Sequence, residues 1–479
     1  MHRHLSPPSA VQPWSVAERR PWRTLVLLAV AQFMVVVDMT VVNVALPSIG
    51  AGLRFSTATD LQWVVTMYVL FSGGLQLLGG RAADLLGRRR TFLLGLSVFT
   101  AASLSSGMAP NPLWLIVSRA AQGLGAALLS PAVLSVVTTL YAGSQRAAAL
   151  GAWGAIGGAG AAAGLLLGGL LTTWLGWPWV FFINVPVGVA ALLLTPRLVP
   201  ALPHRAERGG GLDLAGALAA VGLPVLVVFA VTSAPTRGWA SPQVLIPLLA
   251  AAGLGFGFAH LERQVPRPLI PPAVWRVRSL VSGTAMMLGA TGVLAGILFL
   301  TSIYLQRALG ASPLEAGLIF LPFALAVALA AHLGGHLLAH LGTRLTVVAG
   351  LLIAAGGLAL MAGLPVRTAS AGAVLPGLVV LGLGLGLAFL GTSVAAMADV
   401  GEHTAGLASG LMTTGHEIGA ALGVAVLSGV ATASAGGSGL GTTFAAAYRA
   451  GSIAAAAPPS SWPWSPCSPC PRSGPAAAG

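Results

Sequence analysis

Gly79-Gly80-Arg81-Ala82-Ala83-Asp84-Leu85-Leu86-Gly87-Arg88-Arg89 is followed, 255 residues later, by Gly334-Gly335-His336-Leu337-Leu338-Ala339-His340-Leu341-Gly342-Thr343-Arg344. Both stretches end a long apolar run with a Gly-Gly pair and open a short Arg-bearing connection. The chain therefore reads as two halves of parallel topology, each built around an equivalent helix–loop–helix unit.

Working outward from the two copies, runs long enough to cross a bilayer, about 20 residues each, lie near 25–46, 62–80, 91–108, 113–135, 148–171, 180–198, 213–232, 243–261, 279–303, 315–339, 345–364, 374–398 and 405–433. A further run at 440–457 is mostly Ala and Gly and carries Arg449, which makes it a poor span. The repeated loop follows the second run and the tenth. A separation of eight helices in place of six implies two helices inserted between six-helix halves. The expected layout is an N-terminal segment 1–23, a six-helix bundle 24–199, two inserted helices at 213–261, a C-terminal helix bundle 279–457 and a disordered Pro/Ser/Ala tail 458–479. The abrupt change of composition after Ala457 has the look of a shifted reading frame.

Composition agrees that lipid is the solvent. Only 7% of the 479 residues are charged, against roughly 25% in an ordinary soluble domain, while 56% are hydrophobic and 64 are Gly. Lys is absent, so all 24 basic residues are Arg. A P-loop ATPase and any mechanism with an active-site lysine are thereby excluded. The net charge of +13 comes from Arg clusters between apolar runs, which is a topology signal and not a nucleic-acid surface. With the N-terminus cytoplasmic, seventeen Arg fall on the cytoplasmic side, and only Arg54, Arg237, Arg307 and Arg367 fall outside. The two Cys, Cys467 and Cys470, sit in the tail and cannot staple a fold.

Few ionisable residues lie inside the spans, and each is a functional candidate because charge at that depth is expensive. Asp38 lies roughly 22 Å along the first span at 1.5 Å per residue, well inside the hydrocarbon. Arg119, in the fourth span, falls at a similar depth. The pair suits proton or cation coupling, with a purely structural pairing as the plainer alternative. Glu417, in the thirteenth span beside His416, is the third candidate. His416-Glu417 is not the start of a metalloprotease motif, since Ala420 stands where the second His is needed. His332, His336 and His340 share one helix face at i, i+4 and i+8, a ligand-like spacing without a nearby carboxylate. Asp84, with Gly80, Gly87, Arg88 and Arg89, reads as a charged gate at the membrane surface. Gly164, Gly168 and Gly169 belong to a small-residue stripe on the fifth span, suited to close helix packing.

These residues carry a resemblance. Gly80-Arg-Ala-Ala-Asp84-Leu-Leu-Gly87-Arg88-Arg89 is similar to the loop motif of the major facilitator superfamily that governs inward/outward switching, and Arg119-Ala-Ala-Gln122-Gly123-Leu-Gly125 looks like its fourth-helix motif, whose Arg is implicated in proton transfer. Asp38-Met-Thr40-Val-Val-Asn43-Val-Ala-Leu-Pro47 is similar to the first-helix signature of the fourteen-helix drug:proton antiporter branch, and Gly406-Leu-Ala-Ser409-Gly410 adds a match on the thirteenth span. Where that branch has Gly-Pro in its fifth-helix motif, this chain has Gly164-Leu165.

The resemblance implies an all-α, multi-pass plasma-membrane protein with the major facilitator fold. It implies a monomer that uses no cofactor or metal, exports lipophilic or cationic small molecules in exchange for protons, and is not an enzyme. In this reading Asp38 faces a central cavity and selects cations there. A proton-coupled importer, an exporter dedicated to one metabolite, and a membrane metalloenzyme built on the His332, His336, His340 row are the rival readings.

Overall fold

The computed structural model describes residues 21–56, 58–141, 143–200, 214–264, 274, 276–363, 370–400 and 405–434. Regular structure among these residues is entirely helical, as lipid demands of a chain that must satisfy its own backbone polar groups. Helix α1 is Pro21–Gly52. Helix α2 runs Trp63–Gly74 and continues as Gln76–Leu86 after a 47° bend. Next come α3 (Arg88–Gly107), α4 (Pro112–Leu140) and α5 (Gly143–Trp174). Helix α6 comprises Trp179–Phe182 and Asn184–Leu198. Then follow α7 (Leu214–Arg237), α8 (Pro242–Gln264) and α9 (Arg278–Ile303). The continuous stretch Pro313–Ala362 is divided by Gly342 into α10 and α11. The last two are α12 (Leu375–Met397) and α13 (Ala405–Ser434).

Each of the thirteen spans expected from the sequence has its helix. The N-terminal segment up to residue 20, the run at 440–457 and the tail 458–479 lie outside the described residues.

The sequence repeat is a repeat of backbone geometry. Gly87 between α2 and α3 has φ 90°, and its counterpart Gly342 between α10 and α11 has φ 74°. Only glycine adopts these angles freely, so both copies make the same sharp turn between two spans. The packing repeats as well. A methyl group at Gly95 of α3 would meet the backbone of Gly125 and Leu129 on α4, and one at Gly350 of α11 would meet the backbone of Gly384 and Ala388 on α12. Close backbone approach at small residues is how helices gain packing contact where lipid offers no hydrophobic drive.

One of the tightest approaches joins α9 and α13, where a methyl at Gly423 would fall on the backbone of Gly292. Gly423→Val is therefore expected to destabilise the protein by about 1–3 kcal/mol through overpacking. Gly335→Ala, at an α10 position with open space around it, should leave stability unchanged or slightly raised. Thermal unfolding of the two purified variants in detergent checks the contrast, and equal effects would contradict this packing.

Helices α1–α6 pack mainly on one another, and α9–α13 do likewise; these two groups are the halves expected from the repeat. They meet along two seams. At α5/α10, Leu314 N donates to Thr173 Oγ1 (3.1 Å), and Gly169 lies against the Pro313 carbonyl. Nearby, Ser302 Oγ and Gln306 Nε2 on the α9 side donate to the α1 carbonyls of Asn43 (2.6 Å) and Val44 (2.9 Å). All these contacts lie at the end carrying the α1–α2 and α9–α10 loops. Further along the α5/α10 seam Gly158 still meets Ala328 of α10, while Gly157 has open space beside it. The α2/α13 seam is covered by inserted helix α7. Gly74 of α2 faces Val221 and Ala220, Trp63 of α2 lies 6.4 Å from Phe229 between ring centroids, and Gly429 of α13 faces Pro235.

Candidate functional site

Five of the first six helices converge on one polar cluster. Asp38, midway along α1, has no exposed surface, and Arg119 of α4 is 1% exposed. Arg119 Nη1 donates to Asp38 Oδ2 (2.6 Å) and to Gln122 Oε1 (2.7 Å), while its Nε donates to the Val64 carbonyl of α2 (3.1 Å). The second carboxylate oxygen of Asp38 accepts from Gln122 Nε2 (2.7 Å) and from Asn184 Nδ2 of α6 (2.8 Å). Both amides also donate to Ser103 Oγ of α3, whose hydroxyl donates onward to the Phe181 carbonyl (2.9 Å). The guanidinium lies over the ring of Tyr68, 4.1 Å from its centroid. A buried ion pair needs dense hydrogen bonding of this kind, because desolvation otherwise outweighs the Coulomb attraction.

The glycines of the fourth-helix motif explain how the cluster assembles. A side chain at Gly123 would strike the Tyr68 carbonyl and Phe71 on α2, and one at Gly125 would strike Phe99 on α3. These two positions let α4 draw α2 and α3 close enough for Tyr68 and Ser103 to reach Arg119 and Gln122. On α6, Gly188 fits against Thr100 of α3 and brings Asn184, one turn away, to the same place.

One expectation needs correction. Asp38 does not line a cavity between the halves; it is sealed inside the first half by donors from α4 and α6. The physical reason is local supply, since Gln122 and Asn184 offer amide hydrogens where a substrate cation would otherwise have to stand. The acid at the boundary between the halves is Glu417. Its Cβ packs on Gly73 of α2, its side chain is partly exposed, and its Oε2 is buried without a hydrogen-bond partner. The neighbouring His416 turns the other way, with Nδ1 3.1 Å from Thr291 Oγ1 of α9 and its ring beside Phe389 of α12.

The remaining sequence candidates are dispersed. Asp84 is exposed at the end of α2, and Arg88 donates to Thr139 Oγ1 at the end of α4. Gly80 has open space around it, Gly87 makes the turn already described, and Arg89 is half-buried beside it. Gly164 and Gly168 pack α5 on Thr40 and Val41 of α1, whereas Gly169 reaches across to α10. His332, His336 and His340 follow one another along an exposed face of α10, and no three metal-ligating side chains among the described residues converge on a point.

Tyr68, Ser103 and Asn184 were missed in the sequence as members of the cluster. Asn184 alone carried a usable signal, a polar amide directly after the apolar Val180-Phe181-Phe182-Ile183.

Comparison with known proteins gives a consistent result. A family model described as Major Facilitator Superfamily matches residues 28–424. The chain is 41% identical over 420 residues to puromycin resistance protein pur8 of Streptomyces alboniger, covering 86% of this chain and 82% of that one. It is 37% identical over 415 residues to a lincomycin resistance protein of Streptomyces lincolnensis, covering 85% and 84%. It is 36% identical over 419 residues to the tetracenomycin C resistance and export protein of Streptomyces glaucescens, covering 87% and 77%. Two solved structures share the fold. One is an auto-inhibited POT family peptide transporter, with TM-score 0.66 and 17% identity, covering 90% of this chain and 96% of that one. The other is an inward-facing bacterial homologue of the lysosomal transporter Spinster, with TM-score 0.60 and 20% identity, covering 91% and 93%. With at least ten helices long and apolar enough to cross a membrane among the described residues, a duplicated Gly-hinged loop and matches across most of its length, the chain is a multi-pass membrane transporter and belongs to the major facilitator superfamily.

Proposed function

We propose that the protein exports lipophilic or cationic small molecules across the plasma membrane in exchange for protons, as a monomer with a cytoplasmic N-terminus. The observation that carries the reading is the buried Asp38–Arg119 pair, an ionisable couple deep in the membrane with no catalytic partner around it. Because Asp38 is enclosed, a proton there acts on the substrate indirectly. Neutralising the carboxyl frees Arg119 from its counter-ion and repacks α1, α2, α4 and α6 around it, and the energy difference biases one state of the transporter over the other. Antibiotic resistance in the relatives supports outward transport of drug-like compounds. The test is efflux of puromycin, lincomycin and tetracenomycin C from proteoliposomes under an imposed pH gradient, with susceptibility of pump-deficient cells in parallel. Gradient-driven uptake in place of efflux would favour the importer reading.

The charged loop supplies the gate. Asp84 with Arg88 and Arg89 lies where the two halves would close on each other at the cytoplasmic end, and the free space beside Gly80 leaves room for that closure. Asp84→Asn is expected to cut flux about tenfold with substrate affinity changed less than about twofold, since a gate sets the populations of states and makes no contact with the cavity. Flux in proteoliposomes and equilibrium binding to purified protein separate the two. Equal losses in both would count against a gate.

A further inference from the structure

The α2/α13 seam is unusual in what it buries. Gln62 and Ser428 hydrogen-bond across it near the α1–α2 loop end, yet Gln62 Nε2 has no partner. One helical turn along the same face of α2, Thr66 Oγ1 is also buried without a partner. Further along, Thr414 Oγ1 donates to the Gly73 carbonyl (3.0 Å) and Glu417 folds over the same glycine, with Oε2 unpartnered. Three polar groups left unsatisfied along one line are costly in a permanent interface. They are understandable in one that parts and is wetted during each cycle.

We infer that Glu417 is the proton-gated latch of this seam: α2 and α13 close over it only when its carboxyl carries a proton, and loss of that proton into water favours the parted state. The inference rests on the proton-coupled reading above and assigns it a second, separate site. The physics is the contrast between the two acids. Asp38 has a guanidinium and two amides to hold its charge inside one half. Glu417 presses an unpartnered oxygen into the contact between halves, where a charge would be left uncompensated.

The groups facing Glu417 bear this out. Tyr68 of α2 is within its electrostatic reach, and the guanidinium of Arg119, already paired with Asp38, lies over that ring. His416 on α13 itself turns away to α9 and α12. Helices α7 and α9 bring only Arg237 and Arg278, at their tips. Among the described residues, no Arg from these helices reaches Glu417 to replace the proton.

Parting of the halves, which opens the seam, can be read at their closed end. Ala51 and Ala308 are exposed near the α1 and α9 ends at the closed end of the molecule. Spin labels on Cys at these two positions, in the full chain with Cys467 and Cys470 replaced by Ser, report the separation of the halves by pulsed EPR in lipid nanodiscs. In the otherwise unaltered protein the short-distance population is expected to dominate near about pH 5 and to fall at least about threefold by about pH 9. Glu417→Gln should hold the short distance at both pH values, and Glu417→Asp should restore the dependence. Gly73→Ala, which pushes a methyl into Glu417, should favour the long distance at both.

An unchanged pH response in Glu417→Gln overturns the inference. If that response vanishes only in Asp38→Asn, proton coupling stands and Glu417 is not its latch. If no variant and no pH change moves the distance, the proton-coupled reading itself fails.

Discussion

Asp38→Asn is expected to remove most gradient-driven efflux while leaving the protein folded and inserted. The substitution keeps the size of the side chain and an oxygen that can accept from Arg119; its amide nitrogen then faces the Gln122 and Asn184 donors, which lose their bonds to this residue and keep those to Ser103. What it removes is the ability to change charge. Arg119 retains the Val64 carbonyl, the Gln122 oxygen and the face of Tyr68, which limits the penalty of losing its counter-ion. Efflux under a pH gradient should fall about ten- to a hundredfold, the range of a coupling free energy of about 1–3 kcal/mol. Counterflow, the exchange of labelled for unlabelled substrate without a gradient, should survive within about threefold, because the enclosed Asp38 touches no substrate. The measurements are gradient-driven efflux and counterflow in the same proteoliposomes, with thermal stability followed alongside. Gradient-driven efflux at the unaltered rate would return Asp38 to a structural role.

The fold was legible because membrane constraints leave few options. Every span had to be a helix, helix length follows from bilayer thickness, and the duplicated Gly87 and Gly342 turns marked the two halves. The cluster was only half legible. Asp38 and Arg119 stood out as charges in apolar runs, whereas their neighbours Ser103, Gln122 and Asn184 are uncharged residues of a kind that also serves ordinary helix packing. Which way Asp38 faces was not legible at all. Depth along α1 follows from counting residues, but the facing of a helix that is apolar on every side depends on what its neighbours offer. Here the offer came from α4 and α6, more than 80 positions away in the chain. Glu417 shows the converse. Its place against Gly73 depends on how the two halves dock, a relation carried by no local pattern.

Arg119→Leu tests the energetics of the pair most sharply. It removes the buried cation and leaves the Asp38 carboxylate with two neutral amides in a site without solvent access. Breaking a buried ion pair by deleting one partner is worth about 3–5 kcal/mol, most of it the desolvation of the charge left behind. Arg119→Leu is therefore expected to unfold well below the unaltered protein. The companion is the double variant Asp38→Asn/Arg119→Leu, which leaves no charge in the site. It should be more stable than Arg119→Leu alone by about 2 kcal/mol, and the two effects should be non-additive by at least about 1 kcal/mol. Neither variant should transport against a gradient, since the recovered stability comes from removing the titrating pair. Arg119→Lys completes the set: it keeps the charge, but an ammonium cannot span Asp38, Gln122 and the Val64 carbonyl as the planar guanidinium does. It should therefore retain more stability than Arg119→Leu and still lose most gradient-driven efflux. Denaturation in lipid–detergent micelles gives the four free energies of the cycle, and strictly additive values would mean that Asp38 and Arg119 are neighbours without being an energetic pair.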